Sequence, residues 1–478
     1  MSNVQSTRFA EADADGSQVI ANRANAGAVR RLVDFDFVDE PHPRQDGKVA
    51  EAHSSETRPS CAGQELLHVL PTNTISRNVP PEAFNEYPVA SPIRPLEARE
   101  VTSIFSTRKS AELVRYFIDR CACFFDFSDV DRHFAYVVPL LARRNATLAN
   151  AMLALAARHR SRTSDFDPYT ADRYYHACLQ TLIPRLGETA AARDDELLAA
   201  VVVLRLLEEM DVPIFGSDPQ KHLFGTQAII NASQAQSPSP VTPLRKACYW
   251  AAFRQEIFMS LSFQRPFKLR LPEAPPDSCD DWSWTLKATY QCGKVQQFVF
   301  GEECASLVGH RQLMGEVELW KTTRPTAFDP IYQDVGCGDS FPHVYLHMDC
   351  HVMGWQYITL AHLLLVAHQP LPRVGPLHRQ TMMEVQYIVR EDVRLLCGIA
   401  RSNPQNPSAK LVACMAIALF GDRFEFRSEQ YLLRDLLVDT EASTGWPTSM
   451  ARAQLEGVWN WTHDDSQASH GAAPSTEP

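Results

Sequence analysis

Leu244-Arg-Lys-Ala-Cys-Tyr-Trp-Ala-Ala-Phe-Arg-Gln-Glu-Ile-Phe-Met-Ser-Leu-Ser-Phe-Gln-Arg-Pro266 decides the fold of this chain. Trp250, Phe253, Ile257 and Leu261 recur at helical spacing and form one apolar stripe. Arg254 lies inside that stripe, not opposite it. A guanidinium stays protonated, so on a buried face it requires a carboxylate or carbonyl partner. The expectation for Arg254 is therefore a structural salt bridge. The helix is expected to stop at Arg265-Pro266, because proline drives the preceding residue out of the α region.

Working outward, the helical texture extends over most of the chain. Leu113, Phe117 and Cys121 recur every four residues in Ala111–Cys123, and Leu148, Met152 and Leu155 continue the pattern in Thr147–Arg160. Asp194-Asp195-Glu196 places acids at the positive end of a helix. The following run, Leu197–Met210, is apolar almost all round and predicts a central buried helix. Arg205 within it is expected to pair with Glu208 or Glu209, three or four residues on. Further helices are expected over Pro342–His368, Gln380–Arg401, Pro407–Phe420 and Ser449–Trp461, with loops at Gln236–Pro243, Leu271–Asp281 and Lys321–Phe341. The fold class is all-α: a large multi-helix domain over residues 109–464. Residues 1–108 form a mostly disordered N-terminal region, and 465–478 a short disordered tail.

The 478 residues carry a net charge of −11, which argues against an extended phosphate-binding surface. No apolar run at the N-terminus has the form of a signal peptide. The most apolar stretches, Leu197–Leu207 and Thr359–Val366, fall short of the roughly 20 residues that span a bilayer. A soluble, intracellular protein is expected, with most of its 12 cysteines as small buried hydrophobes. One island in the N-terminal region, Leu32-Val-Asp-Phe-Asp-Phe-Val-Asp-Glu40, alternates apolar and acidic residues. It suits an activation segment that orders on a partner, an edge strand or a packed linker.

Chemistry-bearing patterns are weak. His343, His347 and His351 have the i, i+4, i+8 spacing of a zinc-binding helix, but no Glu follows His343 to act as base. They are expected on the solvated face of a helix whose apolar stripe is Tyr345, Met348, Val352 and Trp355. Cys121-Ala-Cys123 is too tight for a zinc knuckle. Phe298-Val-Phe-Gly-Glu-Glu-Cys304 lacks the Arg of a haem-thiolate loop. Asp194-Asp195 and Asp280-Asp281 are helix-start and loop acids, and Arg158-His-Arg160-Ser-Arg162 suits the negative end of a helix. No catalytic, cofactor-binding or metal-binding residue is assigned, and no enzyme activity or cofactor is expected. An apolar ligand pocket near Trp250 and Phe253 is the alternative to a plain core there.

Arg254-Gln-Glu256 followed by Gln264-Arg-Pro266 resembles the core of the regulatory domain of fungal-specific transcription factors. The likeness runs in order through Phe125–Phe134 with Val138-Pro139, Ala156–His159, Asp172–His176, Leu182–Pro184, Leu204–Pro213, Gly216–Asp218 and His222–Thr226. It continues at Asp349–Gly354, Val393–Ala400 with Ser402–Pro404, and Gly445–Pro447. The resemblance implies an all-helical regulatory module of the nucleus, working with other transcription regulators or co-regulators and with a small-molecule effector. In that family DNA is contacted by an N-terminal binuclear zinc cluster of six cysteines. Cys61 is the only cysteine before Cys121 here, so the cluster cannot form within this sequence. Three expectations follow: a co-regulator reaching promoters through a partner, a chain whose zinc-cluster exon is missing, or a helical protein recruited to a biosynthetic pathway with no transcriptional role. The first two are favoured, with no direct DNA binding by this chain alone and no membrane association. No heptad repeat indicates a coiled-coil dimer.

Overall fold

A computed structural model describes residues 104–461 except 189–190, 212–240, 271, 273, 276–277, 337–339 and 371–373. The acidic-apolar island at 32–40, residues 1–103 of the expected disordered region 1–108, the expected tail 465–478, and Gly216–Asp218 and His222–Thr226 lie outside the described residues; within 104–108, Arg108 already begins a helix.

The chain enters through α1 (Arg108–Tyr116), a π turn at Phe117–Cys121, and the short helices α2 (Cys123–Asp126), α3 (His133–Tyr136) and α4 (Val138–Ala142). Three long helices follow: α5 (Ala146–Thr163), α6 (Tyr169–Leu186) and α7 (Asp195–Asp211). Next come α8 (Pro243–Ser262), α9 (Asp281–Val299) and α10 (Leu307–Thr323). A two-stranded antiparallel hairpin, β1 (Tyr332–Gln333) and β2 (Val344–Tyr345), precedes α11 (Asp349–Ala367). The fold closes with α12 (Pro376–Ser402), α13 (Pro407–Phe420), α14 (Arg427–Thr444) and α15 (Ser449–Val458). The all-α expectation holds: the two short strands are the whole of the sheet among the described residues.

Side-chain caps start the long helices. Asn145, Thr242, Asp280, Ser306 and Asn406 each accept a backbone N–H of the first turn. Asp280 and Asp281, expected as loop acids, are instead the cap and first residue of α9.

Two groups of helices are built around α8. On one side α5 packs on α6 and α7; on the other α9 packs on α11, which also contacts α10, α12 and α13. Helix α8 touches α7, α9, α2 and α13, and beyond its first two turns every residue from Trp250 to Ser262 is buried. Its stripe fills the core: Phe253 meets Trp250 edge-on at 5.7 Å between centroids and lies against Gly293 of α9. A Cβ on Gly293 would fall 2.3 Å from Phe253 Cζ, so only glycine lets the two helices approach this closely. Trp250 and Phe253 are both buried in this core.

Helix α8 ends a turn earlier than its proline suggests. Gln264 adopts φ 45°, and the N–H groups of Gln264 and Arg265 bond the carbonyls of Leu261 and Ser260. This is a Schellman cap with glutamine at the left-handed position usually taken by glycine. It turns Arg265 back along the helix it has just left.

The histidine-bearing segment departs from expectation. Helix α11 starts at Asp349, not Pro342, so His343, His347 and His351 do not share a helix face. The segment before it pairs with β1 and is tied to α12: Ser402 Oγ accepts the Val344 N–H, and Asn403 Oδ1 accepts the Leu346 N–H. The expected apolar stripe fails with it, since Tyr345 and Met348 are exposed. Helix α11 is long and apolar enough by length and composition to cross a membrane, yet most of it is buried between α9, α10, α12 and α13. It is the core helix of this half of the fold.

Candidate functional site

The densest chemistry among the described residues is a layer of charge buried between α7 and α8. These helices run side by side in the same direction. Near their starts, Arg245 Nε donates to Asp195 Oδ1 at 2.6 Å, and Thr242 Oγ1 donates to the other carboxylate oxygen. Further along, Gln255 Nε2 donates to the Val202 carbonyl at 2.9 Å, reaching across to the middle of α7.

Beyond that point lie two ion pairs. Arg254 Nη2 donates to Glu209 Oε2 at 3.2 Å, with 4 % and 0 % of the two side chains exposed. Glu256, fully buried, accepts from Arg205 Nη2, from Arg265 Nη1 at 2.7 Å and from the Lys268 N–H at 2.7 Å. The expectation for Arg254 is met, with Glu209 as its carboxylate. The expectation for Arg205 is corrected: it pairs with Glu256 of α8, not with Glu208 or Glu209 of its own helix. Spacing along α7 permits the local pair, but Arg205 points into the contact with α8, where it would be a buried charge without Glu256.

Burial and these arginines oppose each other on the carboxylates. Burial pushes Glu209 up to about 7, with Arg254 and then Arg205 pulling back. Glu208, which holds no such direct bond, is also raised by burial to about 7. For Glu256 burial raises the carboxyl, but Arg205, Arg265 and the Lys268 N–H outweigh it and hold the group below its ordinary value.

A second buried acid shapes the entry helices. Asp126 is 4 % exposed and accepts the N–H groups of Phe134 and Ala135 at 3.0 and 2.9 Å, capping α3. Burial raises its carboxyl to about 7. Asp129 Oδ2 accepts both the backbone N–H and Nδ1 of His133 at 2.8 Å. With Asp131 these are a gathering of metal-type ligand atoms that sequence spacing did not single out. Its hydrogen bonds are those of a turn.

A pH dependence follows. Between the ordinary carboxyl value and about 7, folded Glu208, Glu209 and Asp126 hold protons that the unfolded chain has released. Stability must then fall as pH rises through that window. His159 acts oppositely: burial lowers it to about 4, so its contribution rises with pH only up to the ordinary histidine value. Three carboxyls against one imidazole predict a melting temperature that falls from pH 5 to pH 8. Melts that stay level or rise over this range would contradict the assignment.

The remaining candidates are dispersed. His351 is fully buried, with Nε2 3.0 Å from Asp281 Oδ2; His343 is exposed and pairs with Asp334 at 3.0 Å; His347 is exposed. The solvated-face expectation therefore fails for His351. Cys304 is exposed in a 3₁₀ turn at Glu302–Ala305. Most described cysteines are buried thiols, as their type predicts. Arg158, Arg160 and Arg162 close α5, as read from the sequence.

Residues 112–315 match the family model of the fungal specific transcription factor domain. The match contains the whole charged layer and both ends of the Arg-Gln-Glu to Gln-Arg-Pro stretch. The resembling pieces at Asp349–Gly354, Val393–Ala400 and Gly445–Pro447 fall beyond it. No curated protein and no solved structure matches the chain.

Proposed function

We propose that this chain, which carries a fungal specific transcription factor domain across residues 112–315, regulates transcription in the nucleus without contacting DNA itself. The family match carries the regulatory part of this reading. The net charge of −11 and the single cysteine before Cys121 support the rest. DNA contact would come from a partner regulator or from a segment outside this sequence. Three of the perturbed acids support a non-enzymatic role: Glu209, Glu256 and Asp126 are tied into contacts between or at the ends of helices.

The test is a promoter-tethered reporter carrying the full chain fused to an unrelated DNA-binding module. Output is expected to change several-fold in either direction, and unchanged output at normal abundance would sink the transcriptional reading. The purified chain is expected to show no salt-dependent affinity for duplex DNA at about 150 mM salt. Tight binding with a steep salt slope would sink the claim that it makes no DNA contact.

A further inference from the structure

An open groove of about 680 Å³ lies where the π turn, the end of α5 and the end of α14 meet. Its floor is a hydrogen-bonded set. The Tyr116 hydroxyl lies 2.9 Å from His159 Nδ1 and 3.0 Å from Thr163 Oγ1, while Thr163 Oγ1 donates to the His159 carbonyl. His159 is 3 % exposed and held neutral by burial. The Arg160 guanidinium lies over Phe166 at 4.7 Å and faces the Tyr116 ring at 5.8 Å.

The charges around this groove do not cancel. Arg108 pairs with Glu112 at 2.9 Å, Arg115 with Asp119 at 2.8 Å, and Arg158 with Asp172 at 2.8 Å; Arg162 holds Asp211. Two lining arginines remain. Arg120 is exposed and has no ion pair among the described residues. Arg160 reaches a carboxylate only at 4.0 Å, that of Glu112, already bonded to Arg108. At the end of α5 the Arg160 carbonyl is already bonded by the N–H and hydroxyl of Ser164, which leaves the Arg160 guanidinium free of that carbonyl. The π turn, closed by the Ala122 N–H on the Phe117 carbonyl, carries Arg120 one turn beyond Tyr116, and such turns recur at functional sites.

We propose that this groove is a binding site for a small aromatic carboxylate. Arg120 and Arg160 hold the carboxylate, and its ring lies against Tyr116. The volume falls in the range of roughly 300–1,000 Å³ typical of small-molecule sites. The site stands independently of the transcriptional reading, because binding is measured on the purified full chain.

Benzoate and benzamide share a shape and differ in charge, which makes them the probes. Ligand-observed NMR should show saturable benzoate binding and roughly tenfold weaker benzamide binding, the scale of one charge-assisted hydrogen bond. Arg120→Gln should weaken benzoate roughly tenfold and leave the melting temperature unchanged, since that side chain is exposed and unpaired. Arg160→Gln should weaken it in the same direction, providing a second variant. The proposal is overturned if benzoate fails to saturate below about 10 mM, if benzamide binds equally well, or if neither substitution weakens binding.

Discussion

Glu256→Ala is expected to cost about 3–5 kcal/mol of stability, the scale for removing one partner of a buried ion pair. The residue is fully buried, and its two oxygens serve Arg205, Arg265 and the Lys268 N–H together. Without it, Arg205 remains a charge with no exposed surface, and Arg265 loses the carboxylate that the Schellman cap turns it toward. Glu256→Gln keeps the shape and one acceptor but removes the negative charge, so it should also destabilise, by less. Because folded Glu256 is held below its ordinary value, its contribution is fully present above that ordinary value and is lost as pH falls through the depressed one. Urea unfolding should therefore show the wild-type advantage over Glu256→Ala shrinking in acid. A variant as stable as wild type at neutral pH would remove Glu256 from the structural core.

The second large effect is expected at Arg254→Ala, again about 3–5 kcal/mol. Here the group left behind is Glu209, fully buried, whose other carboxylate oxygen already has no hydrogen-bond partner. Loss of Arg254 removes the largest pull opposing burial, so Glu209 is expected to take up a proton at higher pH than before. The penalty should consequently be smallest in mild acid, where a neutral Glu209 is tolerated, and largest at pH 8. That pH signature separates loss of an ion pair from loss of packing, which would cost the same at both.

Helix periodicity made the all-α class legible, together with the buried nature of Leu197–Met210 and the need of Arg254 for a partner. Each follows from local spacing. Which carboxylate satisfies Arg254 was not legible, because Glu209 stands 45 residues away, and the Arg205–Glu256 pair spans 51. The i, i+4 rule assigns Arg205 a neighbour on its own helix, and a close contact between two buried helices overrides it. The four-residue spacing of His343, His347 and His351 mimics a helix. Pairing with β1 and the hydrogen bonds from Ser402 and Asn403 decide otherwise, and they come from far along the chain. The groove gave no sequence signal either, since its wall combines Tyr116 and Arg120 with Thr163 and Ser443. Arg160, read correctly as a helix-end cation, becomes a ligand candidate only once the neighbouring arginines are seen paired.

The most direct measurement of the claim that this charged layer is structural is urea unfolding of Arg254→Ala, Glu209→Ala and the joint Arg254→Met, Glu209→Leu variant. Reporter output of the tethered full chain is read alongside. Both single variants are predicted to lose stability, while the apolar pair, which leaves no bare charge, recovers most of it and restores output with it. Arg254→Ala that unfolds like wild type yet abolishes output would contradict this, and would make Arg254 a residue that acts on a partner or ligand.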